Sequence, residues 1–151
     1  MSVKRFGPLA DEGAPEQLSK NFRRAEFACP DACGYSAVDP GLVEGLQALR
    51  DVVGRSLLIN SGCRCWKHNA VVGGTPASRH LTGEAADIRC PGLTARELYS
   101  HAAALCRFGG FGVDDARDML HVDVRPKLAR WCYRDGKQAP WLDVAASTSS
   151  A

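Results

Sequence analysis

Three side chains in two stretches of this chain could together bind a metal ion. His80 and Asp87 lie seven positions apart on either side of Gly83, and His121 follows further along the chain. Because glycine lets the backbone turn, His80 and Asp87 could face one point. Imidazole nitrogen and carboxylate oxygen both suit zinc, and a catalytic zinc takes three protein ligands and keeps one position open. The three side chains are therefore candidate ligands of one zinc ion.

A zinc site of this kind performs hydrolysis when a carboxylate lies nearby. The metal lowers the pKa of a water, and the carboxylate can take that proton and pass it to a leaving amine. Asp118 is a candidate, three positions before His121. Side chains alternate along a strand, so His121 and Asp123 share one face and Leu120 and Val122 the other. Strict alternation puts Asp118 on the face opposite His121, so this role requires a bend in the chain.

The surrounding pattern predicts the elements that would hold these residues. Apolar residues at three- and four-residue steps predict a helix that begins after Asp39 and ends near Gly54. Thr94 and Glu97 form a capping-box pattern that opens a second helix, ending near residue 107. Strands are predicted over 56–60 (buried), 85–89, 119–124 and 129–134, with a glycine-rich strand or turn at 109–113. The order of elements predicts an α+β fold with an antiparallel sheet flanked by helices.

Five short motifs between about residues 27 and 125 occur together in this chain. They are Ser61-Gly62-x-Arg64, His68-Asn69, Gly73-Gly74, Ser78-x-His80-x-x-Gly83-x-Ala85-x-Asp87 and Asp118-x-x-His121-x-Asp123. In this combination the chain resembles the zinc D-alanyl-D-alanine carboxypeptidases and the phage L-alanyl-D-glutamate endopeptidases. Those enzymes share a fold with the hedgehog signalling domain, so the resemblance implies a hedgehog/DD-peptidase-like fold.

The resemblance also implies a role for each matching residue. It implies one zinc ion on His80, Asp87 and His121. It implies Asp118 as the general base, and Arg64 as a catalytic cation that binds the scissile carbonyl or the substrate carboxylate. Ser78 would contact the substrate. The chain departs from the family at Cys63, where relatives carry an aromatic residue, so the shape of the substrate wall is expected to differ.

Length and charge limit the partners that we expect. The 151 residues fit one domain, and we predict a flexible lead-in at 1–19, a peptidase domain at 20–143 and a disordered tail at 144–151. The net charge of +2 is small, and there is no long basic run and no aromatic-basic interleaving. We therefore expect no nucleic-acid or membrane partner, and a monomer that acts on peptidoglycan stem peptides.

The N-terminal residues predict where the protein is made. Lys4 and Arg5 are basic, but no apolar segment of the kind found in secretory signals follows them. We expect cytoplasmic synthesis without a signal peptide. An enzyme of this kind would act at the cell wall after release or as part of a phage particle.

The sequence does not decide whether the seven cysteines bind a metal, form disulfides or pack in the core. Cys29 and Cys33 lie four positions apart and could hold a metal, but a structural zinc takes four ligands and no second pair has the matching spacing. A disulfide or two small core residues are the favoured interpretations. The connectivity cannot be read from the spacing.

Two functions from different classes are consistent with these patterns. The first is a zinc-dependent peptidase that hydrolyses amide bonds in stem peptides, as a D-Ala-D-Ala carboxypeptidase or an L-Ala-D-Glu or cross-bridge endopeptidase. The alternative is a non-catalytic zinc-binding structural or binding module of a phage particle, since the related fold also serves a signalling domain. Asp118 and Arg64 discriminate between them, because a structural metal site needs neither a base nor an oxyanion cation.

Overall fold

Eight β-strands, three α-helices and two 3-10 helices occur in the residues that the computed structural model describes, which are 4–5, 16–31 and 33–141. The sheet order is β3-β4-β6-β5-β7-β8, and all pairs are antiparallel except β5–β7. The predicted α+β class is confirmed. The elements are β1 (Lys4–Arg5), β2 (Ala37–Val38), α1 (Pro40–Val53), β3 (Leu58–Ser61), α2 (Trp66–Val71), β4 (Ala85–Arg89), α3 (Ala95–Ala104), β5 (Gly110–Asp114), β6 (Met119–Asp123), β7 (Ala129–Arg134) and β8 (Lys137–Pro140), with 3-10 helices at Arg24–Phe27 and Arg79–Thr82.

The ends of the two longer helices follow from their capping residues. The Asp39 side chain accepts from the Gly41 N–H at 2.7 Å, and α1 ends at Gly54, whose φ of 65° is left-handed. The Thr94 and Glu97 side chains form the predicted capping box of α3. Both predicted helix starts are confirmed, while α3 ends at Ala104, earlier than predicted.

The central sheet has one apolar face and one polar face. Residues from alternate positions of β4, β5 and β6, such as Ile88, Val113 and Leu120, join the core with residues of α1 and α3. The positions between them place Asp87 and His121 on the opposite face. Full burial of one such aliphatic side chain contributes roughly 1.5–3 kcal/mol. The core therefore holds the sheet that positions the polar face.

One predicted strand differs from the fold in its burial, and two short elements were not predicted. The strand predicted as buried at 56–60 is β3, which lies at the edge of the sheet and leaves Leu58 48% exposed. An edge strand is only partly buried, and a run of apolar residues in the sequence does not show whether a strand lies at the edge or in the centre of a sheet. Residues 66–71 form α2 and residues 137–140 form β8, and both are too short to produce a recognisable period.

Part of the predicted lead-in pairs with the domain. Lys4–Arg5 forms β1, antiparallel to β2. Most of the remaining lead-in and the predicted tail at 144–151 lie outside the described residues. Over the described ranges, no helix combines the length and apolar character that crossing a bilayer requires.

Candidate metal centre

His80 lies in the 3-10 helix Arg79–Thr82, just before β4. Ser78 caps this turn, and its Oγ accepts from the His80 N–H at 3.3 Å. His80 is only 2% exposed, and its Nδ1–H donates to the Gly62 carbonyl at 2.6 Å. The cap and the carbonyl together fix the backbone and the ring, so that Nε2 points into the site.

Gly83 ends this 3-10 helix and begins the turn toward Asp87. Its φ of 74° is left-handed, and a Cβ here would lie 2.5 Å from the carbonyl carbon and oxygen of Ala37. The Gly83 carbonyl also accepts from the Asp39 N–H at 2.8 Å. The position therefore requires glycine both for its backbone conformation and for its contact with β2. This turn brings His80 back over β4.

Asp87 on β4 lies directly opposite His121 on β6 in the antiparallel register. His80 Nε2 lies 3.3 Å and His121 Nδ1 lies 3.2 Å from the same carboxylate atom, Asp87 Oδ1. The three ligand atoms lie within 4.8 Å of one another, and all three residues are buried. The structure thus brings together the three side chains that the sequence singled out as candidate ligands.

The hydrogen bonds around this triad fit a metal cation. The other ring nitrogen of His121, Nε2, donates to Asp123 Oδ2 at 2.7 Å, just as His80 Nδ1 donates to a carbonyl. In neutral imidazoles this leaves two lone pairs facing one carboxylate oxygen, an arrangement that a cation between them stabilises. Two histidine nitrogens and one carboxylate oxygen are donors that zinc accepts. The residues present therefore fit the ion.

The charges in the metal-free protein also favour a cation here. Burial alone would raise the pKa of Asp87, but the attraction and hydrogen bonds of His80 and His121 hold that pKa well below its usual range. Burial acts to lower the pKa of His121, but its bonds to Asp123 and Asp87 outweigh burial and raise that pKa. Asp87 is therefore an anion suited to binding a metal, and in the metal-free fold His121 binds a proton more readily than a free histidine does.

Asp123 supports the centre from behind His121. It is completely buried and accepts from the Arg125 Nε at 2.9 Å and Nη2 at 2.8 Å, and from the Arg125 backbone N–H at 3.1 Å. Burial would raise the pKa of Asp123, but His121 and Arg125 lower it strongly. Such a carboxylate fixes the tautomer and orientation of a ligand histidine. Asp123 thus binds both the candidate ligand His121 and Arg125.

Arg64 contacts the centre from the loop between β3 and α2. Its Nη2 donates to Asp87 Oδ2 at 3.1 Å, its Nη1 to Asn69 Oδ1 at 3.3 Å and its Nε to Ser61 Oγ at 3.2 Å. The arginine occupies the second oxygen of Asp87 and leaves Oδ1 to the histidines. Arg64 thus joins the motifs at 61–64 and 68–69 to the predicted metal ligands.

The triad opens into a cavity of about 540 Å³, a size suited to a small ligand or a short peptide. Ser78 lines it, together with Trp131 from β7. The Trp131 ring lies 5.1 Å from the His121 ring, centroid to centroid. Two carboxylates, Asp87 and Asp114, line the cavity. Five cationic side chains also line it: Arg64, Arg79, Arg117, Arg125 and Lys137. The four arginines form ion pairs with Asp87, Glu84, Asp114 and Asp123, so the excess of positive charge in the cavity is small.

Asp118, the predicted general base, lies at the turn between β5 and β6. The chain does bend at this residue, with φ of 52°, but the exposed side chain turns to α3, where Oδ1 accepts from the Ala95 N–H at 3.2 Å. Asp118 borders a separate small cavity of about 160 Å³ and is not among the residues that line the metal cavity. Its position at the hairpin turn lets it cap a helix on the other face of the sheet.

Asp114 is a second carboxylate in the cavity, and no motif in the sequence indicates it. It is the last residue of β5 and is only 5% exposed. Asp114 lies two positions after Gly112, which pairs with His121, so the Asp114 side chain is on the same face of the sheet as the triad. The Cα atoms of Gly112 and Asp114 are about 6–7 Å apart along the strand. Its carboxylate accepts from the Arg117 N–H at 3.3 Å. Alternation from Gly112 could have identified Asp114 once the pairing of β5 with β6 was known.

Comparison with known proteins identifies the family. A family model described as Peptidase M15 matches residues 20–123, about two thirds of the chain, including both metal-ligand motifs. No curated protein matches the chain. The sheet, the flanking helices and the matched region agree with the hedgehog/DD-peptidase-like fold that the resemblance implies. Because the match covers more than half of the sequence, the chain belongs to the peptidase M15 family of metal-dependent peptidases.

Proposed function

We propose that this protein is a zinc-dependent peptidase that hydrolyses amide bonds in the stem peptides of peptidoglycan. The convergence of His80, Asp87 and His121 at the base of an open cavity carries the proposal. One zinc ion would be held by these three residues. The chemistry that zinc supplies in such a site is activation of a water molecule and polarisation of a carbonyl.

The charge of the cavity supports a stem peptide as the substrate. Its lining has five cationic side chains, four of them paired with carboxylates, and a bound zinc ion would add positive charge to it. Stem peptides carry free carboxylates on D-alanine and D-glutamate, which such a lining attracts. Arg64 would bind the scissile carbonyl or a substrate carboxylate, and Ser78 would contact the peptide at the mouth of the centre.

Asp114 is the better candidate for the proton-transferring group. It is buried on the face of the triad and lines the same cavity, whereas Asp118 caps α3 on the other face. A base must come within hydrogen-bonding reach of the attacking water, directly or through one further water. We therefore propose that Asp114 takes the proton from the water and delivers it to the leaving amine.

Mass spectrometry of purified peptidoglycan tests the function. Zinc-loaded protein should release new stem-peptide fragments, and a chelator should abolish them. Loss of a terminal D-alanine would identify a D-Ala-D-Ala carboxypeptidase, and fragments cut between L-alanine and D-glutamate or at the cross-bridge would identify an endopeptidase. His101→Ala, an exposed histidine on α3, is the matched control for His80→Ala.

Unchanged peptidoglycan from folded, zinc-loaded protein would contradict the proposal. That result would favour a non-catalytic zinc-binding module of a phage particle. We propose that the protein acts on the cell wall after release from the cell or as part of a phage particle. A lysis assay with protein added outside cells, beside protein expressed inside them, tests this location.

A further inference from the structure

A cluster of cysteines lies on the loops next to Arg64, outside the cavity of the metal centre. We propose that Cys29, Cys33 and Cys65 form a second metal site, which holds a thiophilic ion such as zinc. Their sulfur atoms lie within 4.8 Å of one another. Among the described residues, no cysteine lines the cavity of the His80–Asp87–His121 centre. The inference does not depend on the peptidase function.

The spacing of the sulfur atoms suits a metal better than a disulfide. Sulfur atoms around a tetrahedral zinc lie about 3.8 Å apart, given a zinc–sulfur distance of about 2.3 Å. Small side-chain rotations bring three sulfurs within 4.8 Å to that spacing. A disulfide needs about 2.05 Å and joins two of the three thiols, so one would remain unpaired. All seven cysteines are free thiols in the structure.

Asp31 lies next to Cys65 but is not one of the residues whose ligand atoms all lie within 4.8 Å of one another. It lies between Cys29 and Cys33 in the sequence, and its Oδ2 is 3.2 Å from Cys65 Sγ. Zinc accepts a carboxylate oxygen as well as thiolate sulfur, and a side-chain rotation would bring Asp31 to the fourth position. Cys63 is close by, but its thiol donates to the Tyr35 carbonyl at 3.1 Å. The proposed ligand set is therefore three thiolates and one carboxylate.

Backbone N–H groups already point at two of the sulfurs. The Cys65 N–H donates to Cys29 Sγ, and the His68 N–H donates to Cys65 Sγ, each at 3.4 Å. Hydrogen bonds from backbone amides stabilise the charged thiolate form that a metal requires. These bonds come from a different segment than Cys29 and Cys33, so the fold assembles the site from two loops.

The cysteine site lies next to Arg64 in the sequence, which indicates a role in positioning that arginine. Cys65 directly follows Arg64, whose guanidinium binds Asp87, and the Arg64 N–H donates to the His80 carbonyl at 3.0 Å. A metal at the cysteines would join this loop to the segment at 29–33. It would therefore hold the backbone that presents Arg64 to the metal centre.

Metal counting on the full chain tests the proposal. Protein purified under reducing conditions should contain two zinc ions per chain by elemental mass spectrometry. The double variant His80→Ala/His121→Ala should contain one, and Cys33→Ser should also contain one. Cys106→Ser, at an exposed cysteine outside the cluster, is the matched control and should keep both.

Cobalt substitution tests the cysteine site in a variant that lacks two ligands of the peptidase site and keeps every cysteine. The result therefore does not depend on whether a cysteine variant folds. The double histidine variant loaded with Co²⁺ should show the near-ultraviolet charge-transfer absorption of thiolate-bound cobalt. Absence of that absorption, or of any bound metal in this variant, would overturn the proposal. Loss of two hydrogens per chain in the intact mass, matching a disulfide within the cluster, would overturn it as well.

Discussion

Asp87 and His121 face each other directly across β4 and β6, and His121 Nδ1 lies 3.2 Å from Asp87 Oδ1. A directly opposed pair in an antiparallel sheet has Cα atoms only about 4.5–5.5 Å apart. The sheet therefore holds two of the three candidate ligands without help from loops. His80 alone depends on a turn, and that turn depends on Gly83.

His121→Ala should lose bound zinc and peptidase activity together. The substitution removes one of three ligand atoms, and the neighbouring carboxylates Asp87 and Asp123 lose the histidine between them. Zinc content by elemental mass spectrometry and peptidoglycan turnover measure the two losses. Activity retained after zinc is lost would contradict the assigned role, and His101→Ala should change neither quantity.

Asp123→Asn should weaken zinc binding roughly 10–100-fold while all three ligands remain. The amide is uncharged, so it stabilises the ligand tautomer of His121 less than the buried carboxylate does. Competition with a chelator measures the affinity. Asp135→Asn is the matched control, because Asp135 is exposed and its positive φ of 52° suits asparagine. Equal affinities in the two variants would contradict the supporting role of Asp123.

Asp114→Asn should keep its zinc and lose most of its turnover, by about 10²–10⁴-fold if Asp114 is the proton-transferring group. The variant keeps the size of the side chain and its place in the cavity. The kcat and zinc content are measured together. A loss that appeared only in KM would indicate substrate binding instead of proton transfer.

Asp118→Ala should lower stability and leave turnover almost unchanged. Its carboxylate accepts from the Ala95 N–H at the start of α3, and loss of one such hydrogen bond costs about 0.5–1.5 kcal/mol. Urea unfolding measures the free energy, and the peptidoglycan assay measures turnover. A large loss of kcat with unchanged stability would restore Asp118 as the base.

Gly83→Ala should destabilise the protein more than Gly136→Ala does. Both glycines have similar positive φ, 74° and 76°, so both substitutions carry a left-handed backbone cost of about 1–2 kcal/mol. Only at Gly83 would the new Cβ meet the Ala37 carbonyl, while nothing lies within 4 Å at Gly136. Urea unfolding of the two variants measures the difference, and equal costs would contradict the contact.

Removal of zinc should reverse the pH dependence that His121 gives to stability. The pKa of His121 is raised in the metal-free fold, so its stabilisation is present below the unfolded pKa of about 6.5 and is lost as pH rises through the raised value. With zinc bound, protons compete with the metal, so stability rises over the same range. Urea unfolding with and without chelator, between about pH 6 and 9, measures both trends.

The contribution of His121 is isolated by comparison with His121→Asn. Because thiols also titrate in this range, the quantity to follow is the difference in unfolding free energy between parent and variant, both free of metal. That difference should shrink as pH rises. A difference that grows with pH would contradict the raised pKa of His121.

The sequence by itself determined the longer helices, most of the strands of the central sheet and the three candidate ligands. Local signals act over a few residues, so the caps at Asp39 and Thr94, the stop at Gly54 and the turn at Gly83 could be read directly. The pairing of His80 with Asp87 was likewise readable, because one glycine turn joins them. His121 could be added because alternation along a strand puts it on a polar face.

Only the tertiary structure decided which other groups reach those ligands. Asp118 lies three positions from His121 and yet caps α3, while Asp114 reaches the cavity because β5 pairs with β6 in a register that no local pattern specifies. Cys65 meets Cys29 and Cys33 for the same reason, since loops distant in sequence are joined by packing. Long-range strand register and loop packing depend on the whole core, and a short motif contains neither.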